Sequence, residues 1–208
     1  MPRLIPGAGQ LEPFTQGSLS RLCGLYSILN AAQLGLYPHR LAPTQRRRLF
    51  LAAVAHLGRK RLLRKVLGVG MEEDVWLELA EAIGAHIEDR FAVRFRFRRV
   101  LVGAARTSRR QALRSISAAI EQRHPVLVYL GGALDHYTVI CGHAGERLQL
   151  FDSDGLKWLA VDGVSLDQDG KRRHWIAPES TYALIRVPGE PNFLVTRSRR
   201  GTPPGNSA

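Results

Sequence analysis

Cysteine and lysine are both scarce in this chain, and each shortage excludes something. The two cysteines among 208 residues, Cys23 and Cys141, are far apart and allow at most one disulfide. A reducing compartment argues against even that one, so both read as free thiols. No apolar stretch reaches the ~18 residues of a membrane span. The opening "MPRLIPGAGQLEPF" also lacks the hydrophobic segment of a signal peptide, and the expected location is the cytoplasm. Two cysteines and seven scattered histidines do not form a four-ligand zinc set at recognisable spacing. "DSDG", starting at Asp152, opens like a calcium loop, but the remaining EF-hand positions are not filled. No cofactor is implied.

Acidic residues are outnumbered as well, 18 against 30 basic ones, which leaves a net charge of +12. Lysine supplies only Lys60, Lys65, Lys157 and Lys171, so the excess is almost all arginine. With abundant Ala, Gly and Pro, this is the composition a GC-rich genome produces, and net charge bears on association rather than fold. The basic balance invites a nucleic-acid reading. The densest stretches, however, are solvated faces. In "TQRRRLFLAAVAHLGRKRLLRK" the residues Leu49, Val54, Leu57, Leu62 and Leu63 recur at helical spacing, with arginines opposite. In "FAVRFRFRRV" Phe91, Val93, Phe95 and Phe97 alternate with Arg94, Arg96 and Arg98, a strand with one wet side. Nucleic acid is not an expected partner.

What is present is one domain's worth of core, over residues 1–186, followed by an irregular tail from Val187 that has lost periodicity. After a loop to Ser20, helices are predicted over Arg21–Leu34, Pro43–Gly58 and Glu72–Ile87. A strand follows over Phe91–Val102 and then a helix over Ser108–Gln122. Strands dominate thereafter in "PVLVYL", "HYTVICG", "RLQLFD", "LKWLA" and "TYALIRV", with Gly131, Gly142, Gly155 and Gly163 read as turn residues. The fold class is α+β, N-terminal helices packed on a mostly antiparallel sheet.

Cys23 lies in "SRLCGLYSILNAAQL", apolar or small on every side and therefore an interior helix. Ser20 is the candidate N-cap, which places Cys23 in the first turn, where free N–H groups and the helix dipole stabilise a thiolate. Acyl transfer also needs a base and a donor pair for the oxyanion. His136 begins one apolar strand and Asp152 ends the next, sixteen residues later, so a hairpin through "GHAGE" brings them together. The carboxylate can then orient the imidazole. Gln16 can offer a side-chain amide beside the backbone N–H of Cys23.

This set, Gln16, Cys23-Gly24, His136 in "DHYTVICG" and Asp152 in "LFDSDG", resembles the papain-fold cysteine peptidases. It is most similar to the bacterial group whose transporter-linked members trim double-glycine leader peptides. That group likewise has a Cys-Gly pair opening the central helix, a His beginning an apolar strand and an Asp about sixteen residues on. The resemblance covers residues 16–30 and 136–155 and implies a papain-like fold. Three departures stand beside it. Gln16 lies seven residues before Cys23 where these peptidases generally show six, and Leu25-Tyr26 replaces the tryptophan of papain. The chain also has neither the membrane spans nor the P-loop of the transporter-linked members.

Other residues rank lower. Cys141, five positions after His136 on one strand, faces the opposite side and reads as a core thiol. Asp135 points away from His136, His143 falls in the hairpin turn, and the remaining histidines receive no role. Asp154 is the alternative to Asp152. Trp158 and Trp175 are candidates for the core or for the cleft wall. The expected activity is cysteine-type hydrolysis of a peptide or protein substrate at a peptide, isopeptide or related amide bond. An acyltransferase using the same residues, or a non-catalytic module using the basic surface, remains open.

Overall fold

The computed structural model describes residues 3–17, 21–101, 108–166 and 172–187. Its central element is α1 (Cys23–Leu36), where Leu25, Ile28, Leu29 and Leu36 are all but completely buried. α2 (Pro43–Arg59), α3 (Leu63–Val69) and α4 (Glu73–Phe91) follow, and α5 (Arg109–Glu121) comes after the first long strand. The strands are β1 (Arg3–Leu4), β2 (Arg94–Arg99), β3 (Val126–Gly132), β4 (His136–Ala144), β5 (Arg147–Leu150), β6 (Trp158–Ala160), β7 (Val164–Ser165), β8 (His174–Ile176) and β9 (Tyr182–Val187). The class is α+β. One sheet runs in the order β2-β9-β3-β4-β5-β6, with β8 also on β3 and β1 on β4. Every pairing is antiparallel except the short parallel contact of β7 with β8.

β4 is buried on both faces from His136 to Gly142, since α1 and α5 both pack against it. The arginine-striped strand is the sheet's edge, its arginines exposed and Phe95 and Phe97 turned inward, as alternation requires. Arg94 and Arg99 of that strand pair with Glu88 and Glu73 of α4.

Several expectations need correction. α1 begins at Cys23, not Arg21, with Leu22 in the cap position and no side-chain cap; Ser20, the expected cap, lies outside the described residues. Phe91 ends α4 rather than opening a strand, because Ala92 adopts a left-handed φ of 53° and closes the helix onto Glu88. Gly131 and Gly142 are not turn residues. A Cβ on Gly131 would lie 2.0 Å from the Trp175 ring, and one on Gly142 would lie 2.3 Å from the Arg3 carbonyl oxygen. Both glycines admit close approach inside strands. β5 stops at Leu150, two residues short of Asp152, and β9 includes Val187; residues 188–208 and Val102 lie outside the described residues.

α4 fixes the start of α1. Trp76 is wholly buried and stacks on Tyr137 with ring centroids 5.5 Å apart. Its indole N–H donates to the Gly24 carbonyl at 3.1 Å and to the Ser27 hydroxyl at 3.2 Å. A Cβ at position 24 would meet Trp76 at 3.1 Å and the Met71 sulfur at 3.2 Å, which explains a glycine directly after Cys23.

Candidate active site

The β4–β5 hairpin builds one half of the site. Gly145 turns the chain at a φ of 54°, and a bulge shifts the pairing between Ile140 and Gly142. Beyond β5, the Phe151 N–H still donates to Val139, so the chain tracks β4 far enough to bring Asp152 to His136. The His136 Nε2 and the Asp152 Oδ2 are 2.6 Å apart, with only 8 % and 0 % of the side chains exposed. The other carboxylate oxygen accepts the backbone N–H groups of Asp154 at 2.8 Å and Leu156 at 3.2 Å. Asp154 therefore serves the pair through its main chain, not through its carboxylate. Burial works to raise the Asp152 pKa, but the hydrogen bond and charge of His136 outweigh it and hold the carboxyl below its ordinary value.

Cys23 supplies the other half. It is the first residue of α1, half-buried, where the opening N–H groups of a helix lack intrahelical partners. Cys23 lies close enough to His136 in the same cleft to raise its pKa together with Asp152. Because Asp152 takes Nε2, the nitrogen left for the sulfur is Nδ1. Burial alone would lower the His136 pKa; the Asp152 hydrogen bond and the charges of Asp152 and Cys23 overcome it and lift the value to about 10.

Gln16 lines the same cleft as Cys23 and His136. Its N–H donates to the Ser153 carbonyl at 3.0 Å, tying it to the turn that holds Asp152. Its Oε1 is buried and meets no donor among the described residues. The loop before it is held by three side chains that the sequence analysis passed over. Asn30 bonds both main-chain groups of Phe14, Gln33 donates to the Glu12 carbonyl at 2.8 Å, and Arg46 donates to the Pro13 carbonyl at 3.1 Å. The signal was in the sequence: Ser27 and Asn30 stand four and seven residues after Cys23, a polar stripe on an otherwise apolar helix.

The cleft encloses about 780 Å³ between the α3–α4 connection and the segment that joins β8 to β9. Trp175 lines it, while Trp158 is 46 % exposed beneath the Arg147 guanidinium, away from the cleft. Asp135 faces Tyr129 at 2.5 Å and Arg21 at 3.8 Å rather than His136. Cys141 is buried, and that burial pushes its thiol up to about 12. His143 is a residue of β4 paired with Leu148, not part of the turn, and does not line the cleft. Of the cleft carboxylates, Glu72, Glu73 and Asp135 pair with Lys65, Arg99 and Arg21. Asp154 and Glu179 have no ion pair among the described residues.

The structure thus hydrogen-bonds His136 to Asp152 and sets Cys23 and Gln16 beside that pair in one cleft. No family model matches the chain, and no curated protein or solved structure is significantly similar to it.

Proposed function

We propose that the protein is a papain-like cysteine peptidase, hydrolysing a peptide, isopeptide or related amide bond in a peptide or protein substrate. The observation that carries this reading is the buried His136–Asp152 pair, 2.6 Å apart, in an open cleft that Cys23 enters from a helix N-terminus. A buried structural thiol such as Cys141 has no such partners.

The Cys23 sulfur attacks the substrate carbonyl carbon, forming an S–C bond and moving the carbonyl electron pair onto oxygen. The backbone N–H of Cys23 and the Gln16 amide N–H receive that oxyanion. His136 then gives its proton to the departing nitrogen as the C–N bond breaks, leaving a thioester and a neutral imidazole. Water attacks the thioester, His136 takes its proton, and the C–S bond breaks to release the acid. Asp152 holds the ring through both steps and favours its protonated form.

The test is a peptide-library digest read by mass spectrometry, wild type against Cys23→Ala, beside iodoacetamide labelling at neutral pH. Stoichiometric labelling of Cys23, with cleavage lost in a folded Cys23→Ala protein, is expected. An unreactive Cys23, or equal cleavage by the variant, refutes the reading.

A further inference from the structure

We propose that Asn30 is a positioning residue for the oxyanion site, setting where the Gln16 amide stands relative to the backbone N–H of Cys23. This rests on the peptidase reading above. Asn30 is completely buried, and both ends of its amide are used on one residue of the loop. The Phe14 N–H donates to its Oδ1 at 2.7 Å, and its Nδ2 donates to the Phe14 carbonyl at 3.3 Å. Phe14 is itself buried, so no solvent replaces those partners. Two residues on, the Gln16 N–H is fixed on Ser153. The backbone that leads into the Gln16 side chain is therefore pinned at Phe14 and at the Gln16 N–H.

The choice of anchor gives the contact its meaning. Asn30 lies two helical turns beyond Cys23, on the same side of the same rigid helix. The two oxyanion donors come from different segments, one from α1 and one from the loop before it. Asn30 is the bond by which the first segment measures out the position of the second. An oxyanion acquires its charge only during reaction, so a misplaced donor slows the chemical step while leaving substrate binding and thiol reactivity intact.

The experiment compares Asn30→Ala and Asn30→Asp, alone and combined with Gln16→Ala. Hydrolysis of a fluorogenic peptide amide that the wild type cleaves is measured, together with the rate of Cys23 alkylation by iodoacetamide, which forms no oxyanion. Circular dichroism monitors folding. Gln16→Ala is expected to lower kcat by about 10²-fold. Asn30→Ala is expected to lower it by more than about tenfold, with KM and the alkylation rate each within about threefold of wild type. In the Gln16→Ala background the same substitution should cost less than about threefold, because the donor it positions is already gone. Asn30→Asp keeps the acceptor for the Phe14 N–H and should lie between wild type and Asn30→Ala. Multiplicative effects of the two sites, or alkylation falling in step with kcat, overturn the proposal. So does failure of both Asn30 variants to fold, which would assign the residue to stability alone. A wild type that neither labels nor cleaves refutes the peptidase reading instead.

Discussion

Asp152→Asn removes one negative charge from the site while keeping the shape of the side chain and an acceptor for the Asp154 and Leu156 N–H groups. His136 stands at about 10 against an ordinary 6.5. At about 1.4 kcal/mol per pKa unit, that is roughly 5 kcal/mol in favour of the imidazolium, supplied by Asp152 and Cys23 together against burial. The value is raised, so this stabilisation is complete below pH 6.5 and is lost as pH climbs toward about 10. Asp152 has a lowered value, and its share disappears on the acid side, as pH falls through its folded pKa. In the proposed reaction His136 must be protonated to release the leaving amine, so the alkaline limb of kcat/KM reports its titration. In Asp152→Asn that limb should move down by more than about one pH unit, and kcat/KM at pH 7 should fall by about tenfold or more. Asp154→Asn should stay within about threefold, because Asp154 contributes a backbone N–H that the substitution preserves. The assay is a pH profile of both variants on one uncharged substrate. An unmoved alkaline limb in Asp152→Asn, or the reverse ranking of the two variants, would refute the assignment of Asp152 as the orienting group.

Cys141→Ala should fold and retain full activity at a cost of about 1 kcal/mol, measured by urea unfolding, since the thiol is core packing remote from the cleft. Trp76→Ala should cost about 3–5 kcal/mol in the same assay, from the cavity it leaves and the lost indole hydrogen bonds to Gly24 and Ser27. Asp154 and Glu179 leave the cleft unbalanced on the acidic side in an otherwise basic protein. Peptides with Lys or Arg near the scissile bond should therefore be cleaved faster than their Glu counterparts, and the preference should shrink with added salt.

How much of this was legible depends on whether the deciding contact is local. His136 and Asp152 could be paired from the sequence because a hairpin converts sixteen residues of separation into contact through strand arithmetic alone. Ser108 was readable as the start of its helix, and it caps α5 by accepting the Gln111 N–H. Gly131 and Gly142 were misread because their reason lies in distant neighbours, Trp175 and Arg3, which no local pattern announces. α3 escaped because "GRKRLLRK" continues the basic pattern of α2, and only the left-handed turn at Arg61, φ 59°, divides the two. β1, β7 and β8 are two or three residues long, too short for alternation to register. Asn30 and Gln33 were visible as polar residues, but an apolar helix gave no indication of which loop they would hold.

That loop also resolves the spacing that departs from the resembling peptidases. Gln16 stands seven positions before Cys23 where those enzymes generally show six. Were Gln16 positioned by the chain running on to Cys23, one extra residue would displace its amide by up to the ~3.5 Å rise of an extended residue, enough to abolish catalysis. The bonds that hold it lie elsewhere: Phe14 on Asn30, Glu12 on Gln33 and the Gln16 N–H on Ser153. Each is upstream of the intervening residues or belongs to another element. None of these bonds depends on the number of residues that follow Gln16. A single glycine inserted directly after Gly17 should leave kcat/KM within about fivefold of wild type, since it keeps the bonds at Glu12, Phe14 and Gln16 in register. The same insertion between Phe14 and Thr15 shifts Gln16 relative to both of its anchors and should lower kcat by more than about tenfold, with Cys23 alkylation unchanged. If the two insertions proved equally damaging, Gln16 would be held by the span to Cys23 and not by the helix behind it.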